Sequence, residues 1–290
     1  MSADERSADL RRRLAAGESV LMPGVWDALS ARIVAAAGFS TAFVSGFAVS
    51  GSLLGLPDVG HIGQTEMADV ARRASSVAPN LNLVVDADTG YGNAMNVART
   101  VEIWERSGAA GIFIEDQVWP KRCGHMSGKS VVPVEDWLSK LRAACERRTH
   151  LHVTARTDAR GALGLDEAIE RGRMARDLGV DAVFVEAPES VAELETIAEA
   201  LTDVVLVANM VEKGRTPLLT PSELSDRGFS MIVSPLSLLL SAARAMSEAA
   251  STLSVSGTMR EHLDGLMSFD DFNAVVGLPE HRREESRFAE

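Results

Sequence analysis

The chain has little of what staples, anchors or charges a protein positively. Its two cysteines, Cys123 and Cys145, cannot build a disulfide framework. No apolar run approaches the roughly 18 residues that a membrane-spanning helix needs, so no span is expected. The N-terminus carries Asp4, Glu5 and Arg11-Arg12-Arg13 with no apolar stretch between them, so a secretory signal is not expected. Positive charge is scarce: 29 Lys and Arg stand against 41 Asp and Glu, a net charge of −12. That balance argues against nucleic acid or an anionic membrane as partner. It also means that any site for an anionic ligand must be made attractive by local cations. There is no internal repeat and no low-complexity linker. Two free thiols, one beside Lys and His, suit a reducing, cytoplasmic setting.

What the chain does have is regular alternation. Hydrophobic residues make up 46% of 290 positions, ample for a core. Short continuous apolar runs fall at 20–25, 41–44, 81–85, 110–114, 151–155, 182–185, 204–208 and 231–234. Such runs are expected of strands buried on both faces. Amphipathic stretches separate them: 27–37, 64–77, 94–107, 133–147, 165–178, 191–200 and 221–227, with 236–250 after the last. Right-handed crossovers turn this series into an α/β fold, either an open sheet or a (β/α)8 TIM barrel of about 250 residues. The count of eight favours the barrel. The polar residues favour it more strongly. Ser45, Asp86, Glu115, Arg156, Glu186 and Asn209 each fall at the C-terminal end of a predicted strand. In a barrel that face carries the active site, and six strand ends converge on one pocket. The barrel is expected over residues 1–250. A C-terminal helical arm and charged tail, 251–290, are expected to follow as part of the same domain. The gaps at 51–64 and 117–132 open on the same face and are candidate lids.

One stretch concentrates the chemistry. Asp86-Ala87-Asp88-Thr89-Gly90-Tyr91-Gly92 closes the third strand, and Glu115-Asp116-Gln117 closes the fourth. Residues i and i+2 of extended chain point to one side. Two carboxylates there repel unless a cation or proton lies between them. Mg2+ suits such a pair, because it takes oxygen ligands and usually only one or two carboxylates. A loop, Lys121-Arg122-Cys123-Gly124-His125, follows. Its cations are expected to lower the Cys123 thiol pKa, which makes the thiol a general acid. His125 either donates to a substrate carboxylate or tunes the thiol. Gly124 and Gly128 suit a mobile loop. Arg156, among apolar neighbours, needs an anion: a substrate carboxylate, or Glu186 as a structural pair. His61, His150 and His152 are read as structural.

The Val85-Asp86-Ala87-Asp88-Thr89-Gly90-Tyr91-Gly92 segment and the Lys121-Arg122-Cys123-Gly124-His125 loop resemble the isocitrate lyase / phosphoenolpyruvate mutase superfamily. The resemblance runs from about Pro23 to Pro235. The loop is similar to that of the carbon–carbon lyases: 2-methylisocitrate lyase, dimethylmalate lyase and their oxaloacetate-cleaving relatives. The resemblance implies Mg2+, with Mn2+ as a substitute, bound directly by Asp86 and Asp88 and through water by Asp58 and Glu115. It implies catalytic roles for Cys123, Arg156, Glu186 and His125. Substrate contacts would come from Ser45, Gly46, Phe47, Lys121, Gly124, His125, Arg156 and Asn209. It further implies a homo-oligomer, dimer or tetramer, in which the arm is swapped onto a neighbouring barrel.

Three departures bear on the substrate. Phe43 stands where the 2-methylisocitrate lyases have a Tyr that handles the hydroxyl proton. Phe47 replaces a Gly. Leu238, Leu239 and Leu240 occupy a region where those enzymes carry an Arg for an extra carboxylate. These differences argue against a tricarboxylate. They leave the general base open between Glu186 and a hydroxide on the metal. The expected activity is metal-dependent cleavage of a small 2-hydroxy or 2-keto dicarboxylate to a 2-oxo acid and a carboxylate. The alternatives are carboxyphosphonoenolpyruvate or phosphonopyruvate-type phosphorus–carbon chemistry, hydrolysis or decarboxylation of oxaloacetate, and a non-catalytic metabolite-binding barrel.

Overall fold

A computed structural model describes residues 1–124 and 128–289. His125, expected to act in the site, lies outside the described residues. The chain begins with α1 (Ala3–Ala15), β1 (Val20–Val25), α2 (Ala28–Ala36) and β2 (Thr41–Val44). A short helix α3 (Gly46–Val49) runs into a π-helical turn (Ser50–Leu54), then come α4 (Gln64–Val77), β3 (Asn82–Asp86), α5 (Ala94–Arg106) and β4 (Gly111–Glu115). Next are α6 (Val134–Arg147), β5 (His152–Thr157), α7 (Ala159–Ala162), α8 (Leu165–Asp177), β6 (Ala182–Val185), α9 (Val191–Ala200), β7 (Val205–Asn209), α10 (Pro221–Ser225) and β8 (Phe229–Ser234). The chain ends with α11 (Ser237–Ser256), a 3-10 segment (Arg260–Gly265), α12 (Phe269–Val275) and α13 (Leu278–Phe288).

The strands are parallel and pair in sequence order, and β1 closes on β8 through Val20↔Met231 to Pro23↔Ser234. The expected TIM barrel is therefore the fold, with strand ends shifted by a residue or two from the apolar runs. The seam is tight: a Cβ on Gly24 would fall 2.0 Å from the Pro235 carbonyl oxygen, so glycine is required there by close approach.

Period-2 alternation divides the strand side chains between two cores. Val85, Ile112, Val153 and Val183 point outward and pack against the helix ring. Val84, Phe113, Phe184, Val207, Met231 and Val233 point inward and fill the barrel, joined by Leu10 and Leu14 of α1. That helix lies across the N-terminal end of the barrel. A capping box between Ser2 and Glu5 starts it. Ser7 Oγ donates to the Ala110 carbonyl at 2.8 Å, and Arg11 pairs with Asp181 at 3.0 Å. One end of the barrel is thus plugged, and the interior is open only at the C-terminal ends of the strands.

Beyond β8, α11 runs unbroken across residue 250 and buries none of its residues. The expected helical arm continues into the charged tail, where Leu278–Phe288 forms α13. No described helix is long and apolar enough to cross a membrane.

Candidate active site

The acidic end of β3 is built by a turn. Asp86 is its last residue, and Asp88 adopts φ +45°, a left-handed conformation that Asp tolerates better than most side chains. The Asp88 N–H donates to Asp86 Oδ1 at 3.1 Å. The two carboxylates therefore stand together because the backbone curls, and the extended i, i+2 geometry expected of them does not apply. Gly46, behind Ser45 at the end of β2, lets them approach: a Cβ there would lie 3.0 Å from Asp86 Oδ2 and 3.7 Å from Asp88 Oδ1.

Lys121 reaches into this cluster, its side chain 3% exposed. Its Nζ lies 2.5 Å from Asp58 Oδ1 and 2.9 Å from Asp88 Oδ1. Burial alone would lower the pKa of the ammonium. Asp88, Asp86, Asp58 and Glu115 outweigh that and hold its pKa well above the ordinary value. Burial pushes the Asp88 carboxyl up to about 7, against the pull of Lys121 and with added repulsion from Asp86 and Asp58.

The donor set fits a hard divalent cation. All candidate ligands are carboxylate oxygens, and Asp88 Oδ2 and Glu115 Oε1 are buried without a hydrogen-bond partner. Among the described residues no three His, Cys, Asp or Glu side chains form a ready-made cage. A pair of carboxylates is what Mg2+ usually takes, with water or substrate completing the shell.

Arg156, on β5, was expected to meet a substrate carboxylate or Glu186. Its main partner is Asp158, missed in the sequence. Nε and one terminal nitrogen bond the two Asp158 oxygens at 2.9 and 3.2 Å, a bidentate pair. Glu115 is 3.4 Å away and Glu186 3.9 Å. Glu115 thus faces Arg156. Its pKa is raised well above the carboxylate range, by burial first, with Arg156 pulling the other way. The guanidinium also lies 5.4 Å over the Phe184 ring. Asp158 is held in turn by Lys129 at 2.6 Å, and its N–H donates to Asp116. Asp116 accepts from Thr157 Oγ1 and from Arg171 of α8. Sequence reasoning noted Asp116 only as part of an acidic strand end, and gave no role to Asp158, Lys129 or Arg171. The Arg156-Thr157-Asp158 spacing was the one available signal.

These groups meet in a cleft with about 510 Å3 of empty space, part of it open to solvent. Ser45, Phe47, Asp58, Asp86, Lys121, Cys123, Gly124, Arg156, Glu186 and Asn209 all line it, as expected. Gly46, Asp88 and Glu115 sit directly behind that lining. Asn209 Nδ2 lies 3.3 Å from both oxygens of Glu186, which is fully buried. The floor is aromatic, with ring centroids 5.0 Å apart for Phe43–Phe113 and 5.7 Å for Phe113–Phe184. Val211, Val233, Pro235 and Leu236 form an apolar wall. Leu240, expected to shape the pocket, is 45% exposed and stands outside it. Gly124 serves the approach of the loop. A Cβ there would fall 2.4 Å from Glu186 Oε1 and 2.6 Å from an Arg156 nitrogen. His152 opens β5 at the opposite end of the barrel, and burial pushes its pKa down to about 4, so it stays neutral.

Comparison with known proteins bears on this geometry. The family model described as phosphoenolpyruvate phosphomutase matches residues 10–254. The petal death protein of Dianthus caryophyllus is 45% identical over 285 residues, covering 98% of this chain and 89% of that one. The 2,3-dimethylmalate lyase of Eubacterium barkeri is 40% identical over 286 residues, covering 98% of both. Among solved structures, an oxaloacetate acetylhydrolase in complex with 3,3-difluorooxalacetate superposes with a TM-score of 0.94 at 36% identity, covering 98% of this chain and 97% of that one. A phosphonopyruvate hydrolase in complex with oxalate and Mg2+ superposes with a TM-score of 0.88 at 26% identity, covering all of both chains (100% each).

Proposed function

Because the chain belongs to the phosphoenolpyruvate mutase / isocitrate lyase superfamily, we propose that it is a Mg2+-dependent carbon–carbon lyase. Its substrate is a small 2-hydroxy dicarboxylate, cleaved to a 2-oxo acid such as pyruvate and a second carboxylate; a 2-keto dicarboxylate would first add water at C2, and its cleavage would then give two carboxylates. The observation that carries this reading is the meeting of Asp86, Cys123, Arg156 and Glu186 in one cleft with Asp88 directly behind. Mn2+ would substitute for Mg2+.

Asp86 and Asp88 would hold the metal, with Asp58 and Glu115 acting through water. When bound it supplies Lewis-acid polarisation of the substrate's C1 carboxylate and C2 oxygen. The protein's own groups do the rest. Ser45, Asn209 and the loop donors orient the carboxylates. Glu186 accepts the C2 hydroxyl proton as the C2–O bond gains double-bond character. The C2–C3 electron pair then moves onto C3, giving the enolate form of the leaving carboxylate. Arg156 faces that developing charge. Cys123 gives its proton to C3, and the thiolate recovers one from solvent. Phe43 can neither accept nor relay the C2 hydroxyl proton, and we assign it to Glu186, which lines the cleft, over the alternative of a hydroxide on the metal. The aromatic floor and the approach of Gly124 keep water from the carbanion. The apolar wall at Leu236 argues for a dicarboxylate over a tricarboxylate.

The test is product analysis on a panel of 2-hydroxy dicarboxylates, oxaloacetate and phosphonopyruvate, with and without EDTA. A 2-oxo acid should appear with Mg2+ or Mn2+ and vanish with EDTA. Full turnover in metal-free buffer sinks the reading. Acetate plus oxalate from oxaloacetate would instead establish the hydrolase alternative.

The same proposal includes assembly and location. The arm, residues 251–290 together with the end of α11, covers a neighbouring barrel in a dimer or tetramer. In support, Met246, Val255 and Phe269 are apolar and 65, 87 and 82% exposed. Light scattering should give a multiple of 31.0 kDa, and a monomer at micromolar concentration would refute it. No disulfide joins Cys123 and Cys145, which supports a reducing, cytoplasmic setting.

A further inference from the structure

The segment that carries Cys123 is gripped from both sides by side chains of its own loop. Gln117 lies two residues beyond the end of β4 and is 2% exposed. Its Nε2 donates to the Arg122 carbonyl at 2.8 Å, and its Oε1 accepts from the Arg122 N–H at 2.9 Å. One amide side chain thus satisfies both backbone groups of one residue, as a paired strand would. On the other side, Lys129 Nζ donates to the Gly124 carbonyl and to Asp158 Oδ1. The lysine side chain is 3% exposed. The stem beneath is zipped: Gln117 bridges Val131, Val118 N–H donates to Ser130 at 2.9 Å and Val132 N–H to Asp116 at 2.8 Å.

Both neighbours of Cys123 are therefore fixed, and the Lys129 grip ends on the carboxylate that also holds Arg156 by two bonds. We propose that Gln117 and Lys129 are positioning residues that set where the Cys123 thiol stands relative to Arg156. Neither side chain needs to touch substrate. The inference rests on Cys123 being the proton donor proposed above. A bland alternative is that both side chains merely satisfy buried groups. That alternative predicts lost stability without a specific effect on the thiol.

The experiment uses the full chain with Cys145→Ser, so that Cys123 is the only thiol. Gln117→Leu, Lys129→Met and Lys129→Arg are compared on that background. Turnover is measured, together with the iodoacetamide alkylation rate of Cys123, with and without oxalate and Mg2+. Misplacing a reacting group by about 1 Å costs up to about 10²-fold. Gln117→Leu and Lys129→Met should therefore lower kcat by about 10–10²-fold with KM little changed. They should also weaken the protection that oxalate with Mg2+ gives the thiol. Lys129→Arg, whose guanidinium can still reach both acceptors, should recover most of both properties. Two results overturn the proposal. One is unchanged kcat and unchanged protection in Gln117→Leu and Lys129→Met. The other is a melting temperature lowered in all three variants with thiol protection intact. Alkylation needs no turnover, so it decides the matter even if the wild type cleaves nothing in the panel. In that event the lyase reading fails while the clamp is still judged.

Discussion

The residue that separates the lyase reading from its rivals is Cys123. Serine is nearly isosteric with it but a far weaker acid than a thiol among cations. General acid catalysis contributes about 10²–10⁴-fold, so Cys123→Ser should lower kcat by about that factor. KM should change much less, because the proton moves only in the transition state. A thiol reagent should inactivate the wild type, and substrate analogue with metal should protect it. Cys145, on α6, is the internal control. Burial pushes its thiol up, and it stands away from the cleft, so Cys145→Ser should be nearly silent. If Cys123→Ser keeps most of its kcat, the thiol is not the acid and the hydrolase or phosphorus-transfer readings gain. Neighbouring Gly124 shows what a sequence does not reveal about a glycine. Its identity suggested mobility, yet the structure demands it because a Cβ would collide with Glu186 and Arg156. Which atoms crowd a Cα is a tertiary fact, invisible along the chain.

The elements were legible where burial repeats along the chain. Strands such as Ala182–Val185 and helices such as Gln64–Val77 and Val191–Ala200 lie where the apolar pattern puts them. The polar strand ends converge because a barrel leaves them one open face. What was not legible is who pairs with whom there. Glu115, Asp158 and Glu186 all stand within 4 Å of Arg156, and only the backbone path decides that Asp158 takes both nitrogens. The curl of β3 into Asp88 was lost for the same reason: a left-handed residue looks like any other Asp in one dimension. The end of β5 offers a test. Removing one partner of a buried pair usually costs about 3–5 kcal/mol, because the other charge is stranded. In Asp158→Asn, Arg156 keeps Glu115 and Glu186 nearby, so the loss in urea unfolding should fall at or below the low end of that range. Activity should drop more sharply, as Arg156 turns toward Glu186 and the Lys129 contact weakens. An unfolding loss well above about 5 kcal/mol would show that those carboxylates do not compensate.

At the scale of the whole molecule, the proposed metal site would link metal, pH and stability through its acidic cluster. Asp88 has its carboxyl pushed up by burial to about 7, against an ordinary value of 3.8. A folded pKa above the unfolded one means that the native state holds the proton more tightly. That contribution to stability is complete below the unfolded value and is lost as pH rises through the folded one, a window from about 4 to about 7. Mg2+ bound as proposed would need Asp88 ionised and so would compete with that proton. Each pH unit below the Asp88 pKa should weaken metal binding about tenfold, or about 1.4 kcal/mol. A ligand at one hundred times its Kd adds about 2.7 kcal/mol to the native state. The rise in melting temperature on adding Mg2+ to EDTA-treated protein should therefore be large near pH 8 and nearly gone at about pH 5.5. The increment is a cleaner quantity than the melting temperature itself. His152, pushed down to about 4, pulls the other way: its contribution is present above the ordinary histidine value and lost as pH falls through 4. Groups that do not touch the metal cancel when the two melts are subtracted at one pH. Asp88→Asn should abolish the increment at every pH while the barrel stays folded. An increment of equal size at both pH values would break the link between Asp88 and the metal. No increment at any pH would remove the metal from the proposed chemistry.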